Sequence, residues 1–370
     1  MNLSRRTLLG AALVPFAAQA QGAGPVVGVS GPLTGQYAQY GADWQRGFGL
    51  ALDEAAGNGP AIGLDFEDSQ SDPRQAVAIA QKFVADPRIV IELGDFSSAA
   101  SMAASPIYQR GKLVQFGFTN SHPDFTKTGD YMWSDAPNQL EEMPMLADFA
   151  VGKLGLKRPA VLFINGDWGR TSKDLFIAAA KKLGADVVGS EGYLPDEKDF
   201  RSTLVRLRDA NPDGLILISY YPDGALAAQQ IRTLGLKQPV VAASSCYSPK
   251  FLELGGDAVE GIYTTTNFFA ADPRPVVQDF VSKYKAKYGT EPGSYAARAY
   301  DAMNVAIALI RENGADRQKI HDGLAKITVP SVIFGTLQFD PATRRVRFPV
   351  TIELQVRNGA FALWDGKAAG

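Results

Sequence analysis

The sequence predicts an α/β protein built as two doubly wound lobes with parallel sheets. Three observations carry that expectation. From Pro25 onward, short apolar runs alternate with amphipathic helical stretches, the rhythm of parallel strands covered by helices. The rhythm restarts after Pro137. The 370 residues are enough for about two domains at roughly 150 residues each, both large enough for ordinary cores.

In the first run, Val26-Val27-Gly28-Val29 reads as a buried strand followed by a Gly/Pro turn over 30–35. A helix is predicted over 41–56, because Trp44, Phe48, Ala51, Leu52 and Ala55 recur near helical spacing. Gly47-Phe48-Gly49 lies inside it and lacks the third glycine of a dinucleotide fingerprint, so it reads as close packing. A second strand follows at 62–67. Asp72-Pro73 then supplies an N-cap and a first-turn proline for a helix whose face carries Ala76, Val77, Ala80, Phe83 and Val84. Strands at 89–93 and 113–116 flank a helix-like stretch at 99–110.

The second run opens with a helix over 138–154 and a strand over 160–164. A helix at 171–183, a strand near 187–188, a helix at 199–210 and a strand at 215–218 continue it. A helix at 223–234 and a strand at 240–242 follow, then helices at 275–288 and 295–312 and β-like segments at 335–339 and 350–356.

Composition excludes more than it selects. Lys+Arg 37 against Asp+Glu 39 gives a net charge of −2, without the basic excess of a nucleic-acid binder. The one cysteine, Cys246, allows no internal disulfide and no Cys-cluster zinc site. Two histidines, His122 and His321, leave little material for a metal site or a catalytic triad, and no phosphate loop, GxSxG or HExxH occurs. The acidic pairs Asp53-Glu54 and Glu141-Glu142 read as solvated helix faces. No cofactor and no enzymatic activity are expected. Residues 1–20 read as an export signal: Arg5-Arg6, an apolar stretch over 7–18, and Ala18-Gln19-Ala20 as a cleavage site. The Arg pair suits either the twin-arginine or the general export route.

Hydroxyls and aromatics gather at strand ends, where open α/β sheets bind ligands. Ser97-Ser98 precede a helix whose free N–H groups suit an anion; helix capping is the alternative role for Ser98. Thr119-Asn120-Ser121 and His122, Trp168, Tyr220-Tyr221 and Ser244-Ser245 complete the set. Together they describe a cleft of neutral donors and aromatic walls.

The chain resembles the type I periplasmic binding proteins of branched-chain amino-acid ABC importers, typified by the leucine/isoleucine/valine-binding protein. Carrying the likeness are Val27-Gly28-Val29-Ser30-Gly31-Pro32-Leu33-Thr34-Gly35 with Gln39-Tyr40-Gly41, Asp72-Pro73-Arg74-Gln75-Ala76-Val77, Asp167-Trp168-Gly169, Tyr220-Tyr221-Pro222-Asp223 and Leu234-Gly235-Leu236-Lys237. The resemblance implies a hinged clamp crossed three times by the chain. Lobe one would hold 24–137 and 270–335, lobe two 138–269 and 336–365. It implies that Ser98 binds a ligand carboxylate, with Ser97 beside it, and that the 119–121 loop meets the α-substituents. Tyr40, Trp168, Tyr220 and Tyr300 would line the pocket, with His122, Phe118 and Tyr247 adding to its aromatic character.

Where the amino-acid binders carry the acid that meets the ligand ammonium, this sequence has Ser244. Asp223 is the best nearby substitute. A buried ammonium without a counter-charge is costly, so the expectation favours a small aromatic or hydrophobic carboxylate lacking an α-ammonium. An aliphatic amino acid or an amide or urea-type solute is the alternative. The implied partner is an inner-membrane ABC permease, met transiently by a monomer in the periplasm. A ligand-sensing protein for a receptor is the alternative of a different class.

Overall fold

The computed structural model describes residues 24–347 and 351–366. The expected export signal lies outside them. Five parallel strands, β1 (Val26–Gly31), β2 (Gly63–Asp68), β3 (Ile89–Gly94), β4 (Gln115–Phe116) and β5 (Met132–Trp133), form one sheet in the order β2-β1-β3-β4-β5. Helices α1 (Ala38–Ala55), α2 (Pro73–Ala85) and α3 (Ser98–Gly111) connect its first four strands. Every residue of β3 is buried, as expected for a parallel strand covered on both faces. The strand order reverses at β1, between β2 and β3, so the crevice opens at the loops after β1 and β3.

The second sheet has seven strands. Its parallel part comprises β6 (Pro159–Ile164), β7 (Gly189–Tyr193), β8 (Gly214–Ile218), β9 (Val240–Ala242) and β10 (Tyr263–Thr266). α4 (Gln139–Ala147) leads into it through a π-helical turn (Asp148–Lys153). The crossovers are α5 (Asp167–Lys182), α6 (Arg201–Asp209), α7 (Tyr221–Thr233) and α8 (Pro249–Gly255). Here the order reverses at β6, between β7 and β8, and the loops after β6 and β8 open the matching crevice.

α9 (Pro275–Tyr288), α10 (Ser294–Asn313) and α11 (Arg317–Leu324) return to the first sheet. α10 crosses α1 so closely that a Cβ on Gly47 would stand 2.3 Å from the Ala296 carbonyl oxygen, which accounts for the glycine in Gly47-Phe48-Gly49. A hairpin of β11 (Thr328–Ser331) and β12 (Gly335–Gln338) follows, then β13 (Ile352–Arg357) and β14 (Ala360–Leu363), antiparallel at the edge of the seven-stranded sheet. The chain thus passes between the sheets three times.

Two expectations need correction. The boundary placed between 335 and 336 falls at the start of β12, which pairs back onto β11. The chain beyond it stays with the first sheet as far as Val346, whose N–H donates to the Ser134 carbonyl. The strand expected near 187–188 lies slightly later, as β7 over Gly189–Tyr193, with the Val188 N–H bond to the Pro159 carbonyl of β6 leading into its ladder. The sequence analysis assigns no element to the stretch of α8; Ser248 caps it by accepting from the Lys250 N–H, with Pro249 as its first residue.

Candidate functional site

Between the carboxyl ends of the two sheets lies a cavity of about 440 Å³, counting its open mouth. Lobe one contributes Phe96, Ser98, Thr119 and Ser121 from the loops after β3 and β4 and the start of α3; Pro137 stands at the first crossing. Lobe two supplies Glu142, Trp168, Tyr220, Ser244 and Ser245, and α10 supplies Tyr295 and Arg298.

The helix start explains the serines. Ser97 Oγ accepts from the Ala100 N–H at 3.0 Å and donates to the Ser71 carbonyl, so Ser97 is the cap of α3. Ser98, the first residue of that helix and 3% exposed, is left to face the cavity among N–H groups with no intrahelical acceptor. Capping therefore belongs to Ser97. The close approach of this loop to β1 depends on Gly94, at φ +152°, where a Cβ would meet the Ser30 carbonyl oxygen at 2.2 Å.

Four rings enclose the apolar part. Trp168 stacks on Tyr220 with centroids 4.9 Å apart, and Phe96 lies 5.1 Å from Tyr220 and 6.0 Å from Tyr295. Thr119 Oγ1 leans toward the Asp95 carbonyl at 3.5 Å. Asp95 itself accepts from Ser30 Oγ at 2.7 Å, and burial pushes its carboxyl up to about 6.

The charged end of the cavity departs from expectation. Glu142 reaches Ser244, whose hydroxyl donates to its carboxylate. Burial raises the Glu142 pKa, while Ser244 and the positive charge of Arg298 pull it back. Burial in turn lowers that of Arg298, against the support of Glu142, Asp135 and Asp301. The solvated face expected for Glu141-Glu142 is thus wrong for Glu142. Asp223, the expected substitute acid, lies outside the lining. It is 1% exposed, accepts from Gln36 Nε2 at 2.9 Å, and burial pushes its carboxyl up to about 7. The missed signal was spacing: Gln139, Met143 and Leu146 are buried on α4, and Glu142 falls three residues after Gln139 on that face.

Several expected lining residues serve the cleft indirectly. Tyr40 is fully buried behind Phe96, its hydroxyl donating to the Ser245 carbonyl at 2.9 Å and accepting from the Tyr221 N–H at 3.2 Å. Asn120 is buried and its Oδ1 accepts from the His122 N–H. His122 Nδ1 accepts from the Asp124 N–H, and its Nε2 lies 3.6 Å from an Asp167 oxygen across the cleft. Tyr300 stands five positions after Tyr295, about 140° around the helix; its hydroxyl donates to Glu54 instead. Tyr295 takes the place expected of Tyr300. Phe118 packs behind Trp44 and Tyr247 against Phe361, both outside the lining.

Among the described residues no group of histidine, cysteine, aspartate and glutamate is arranged to hold a metal, and no helix is long and apolar enough to cross a membrane.

Comparison with known proteins shows the family and the fold of the chain. The model of a family described as periplasmic binding protein matches residues 26–360. Leu/Ile/Val-binding protein homolog 1 of Brucella melitensis is 27% identical over 345 residues, covering 89% of this chain and 90% of that protein. A leucine binding protein from Thermotoga maritima superposes with a TM-score of 0.85 at 26% identity, over 92% of this chain and 97% of its own. A solute binding protein from R. palustris in complex with benzoate gives a TM-score of 0.86 at 18% identity, over 92% and 95%, a likeness of fold.

Proposed function

This chain belongs to the periplasmic binding protein family, and from that premise we propose that its interlobe cavity takes a small carboxylate with a hydrophobic, preferably aromatic, body. The protein is the substrate-binding component of an ABC transporter of the branched-chain amino-acid type. The observation carrying the ligand reading is that Ser98, at the open N-terminus of α3, faces four aromatic rings across one cavity. Helix N–H groups and a hydroxyl suit the carboxylate, and the rings suit a flat apolar body.

Glu142 changes the argument about the far end. An acid does stand at Ser244, and it favours a second reading, in which an aliphatic amino acid sets its ammonium against Glu142. Arg298 beside Glu142 offsets that charge, which keeps the first reading ahead. Calorimetry with leucine, benzoate and a phenylpropenoate acid, on wild type and Glu142→Gln, separates the two. The first reading expects aromatic acids to bind and leucine to fail. Tight leucine binding that falls tenfold or more in Glu142→Gln, with no aromatic binding, would establish the second.

Export and delivery complete the proposal. The mature chain begins near Gln21, resides in the periplasm, acts as a monomer and passes its ligand to an inner-membrane permease. Intact-mass measurement on periplasmic extract tests the cleavage; a retained leader refutes it.

A further inference from the structure

A second cavity, of about 320 Å³ counting the space open to solvent, lies behind the charged end of the first. Pro137, Glu142, Ser244 and Arg298 line both, so these residues form a shared wall. Beyond it stand Thr265 of β10, Asn267 just after that strand, Glu141 and Met145 of α4, and Thr351. The first two chain crossings and the residue preceding β13 therefore meet around this chamber.

Two features say what it would hold. Both amide atoms of Asn267 are buried and lack a hydrogen-bond partner among the described residues. A buried amide left so is costly, so a donor and an acceptor are called for. The carboxylates lining the chamber, by contrast, already have opposite charges nearby: Arg298 for Glu142, and Arg345 and Arg347 for Glu141. The unmet demand is that of an uncharged dipole.

We propose that this hinge chamber is a second ligand subsite, taking the uncharged amide or ureido end of an acid whose carboxylate and apolar body fill the first cavity. The proposal rests on the carboxylate reading of the first cavity. Titration calorimetry with two matched pairs tests it: benzoate against 4-acetamidobenzoate, and leucine against citrulline. In the pair that binds, the amide-ended member is expected to bind at least tenfold tighter. Asn267→Leu should abolish that advantage while leaving the shorter acid within twofold; Asn267→Ala serves if the leucine variant does not fold. Equal affinities within the pair, or an advantage that survives in the variant, overturn the subsite and leave the carboxylate reading standing. Failure of all four compounds to bind overturns both.

Discussion

At the scale of single residues, two neighbouring serines divide labour that the sequence could not divide. Either could cap α3, and only the observed bonds assign the cap to Ser97. Ser97→Ala should therefore cost about 1 kcal/mol of stability, the usual loss for a cap. Ser98→Ala should leave the melting temperature nearly unchanged and weaken ligand binding about tenfold or more. Thermal melts alongside calorimetry check both, and equal affinity in Ser98→Ala would remove it from the site. A second residue-scale expectation concerns Asp43, whose carboxyl is pushed by burial up to about 6 and is met only partly by Gln39 and Arg46. Its folded pKa lies above the ordinary value of about 4, so the folded state binds more protons between those values. Its contribution is fully present below pH ~4 and is lost as pH rises through about 6. Asp43→Asn should then be more stable than wild type at pH 7.5, by roughly 2–3 kcal/mol, and no more stable at pH 3.5. Denaturant titrations at the two pH values would show it; a pH-independent difference would contradict it.

At the scale of elements, legibility followed periodicity and length. α1, α2 and α10 were readable because their apolar positions recur over several turns, and Asp72-Pro73 marks the start of α2. β5 has two residues, too short to show alternation. The helix expected over 138–154 changes character within its length: α4 gives way to a π-helical turn at Asp148, a change of hydrogen-bond pattern that apolar spacing does not reveal. The strand-end serines, Trp168 and Tyr220 were legible because loops after parallel strands face the crevice, whereas Glu142, Tyr295 and Arg298 come from helices. Reading those requires knowing which helix face meets the other lobe, a tertiary fact. The α1–α10 crossing was legible only as a pair of glycines. Gly47→Val should cost at least about 2 kcal/mol, since the new side chain meets Ala296 backbone at 2.3 Å rather than a movable side chain. Gly49→Ala meets only the ends of two side chains, the Tyr288 hydroxyl at 3.1 Å and Lys287 Nζ at 3.7 Å, and should be far milder. Chemical denaturation of both variants tests the contrast.

At the scale of the whole molecule, the two lobes touch each other directly across the mouth of the cleft, so separating them would break these contacts. Gln36 reaches Asp223, His122 faces Asp167, and Tyr37 meets Tyr220 edge-on at 4.8 Å. The most buried of these contacts is Tyr40, held in lobe one by α1, whose hydroxyl bonds two backbone groups of lobe two. A ligand that touches both lobes binds the shut form better, and that difference drives closure. Tyr40 lies outside the cavity lining, so its hydroxyl acts on affinity through the closed state alone. Tyr40→Phe keeps the ring stacked on Phe96 at 4.2 Å and removes the hydroxyl. It leaves the buried Ser245 carbonyl and Tyr221 N–H without that partner when the lobes meet, a penalty of about 1–3 kcal/mol on the closed state. In the open form water can satisfy the same groups. The expected result is a ligand affinity lower by about tenfold or more, with the melting temperature of the ligand-free protein little changed. Small-angle scattering should show the wild-type radius of gyration falling at saturating ligand, and the variant needing more ligand to reach the same compact form. Unaltered affinity in Tyr40→Phe would mean that this contact does not report on closure.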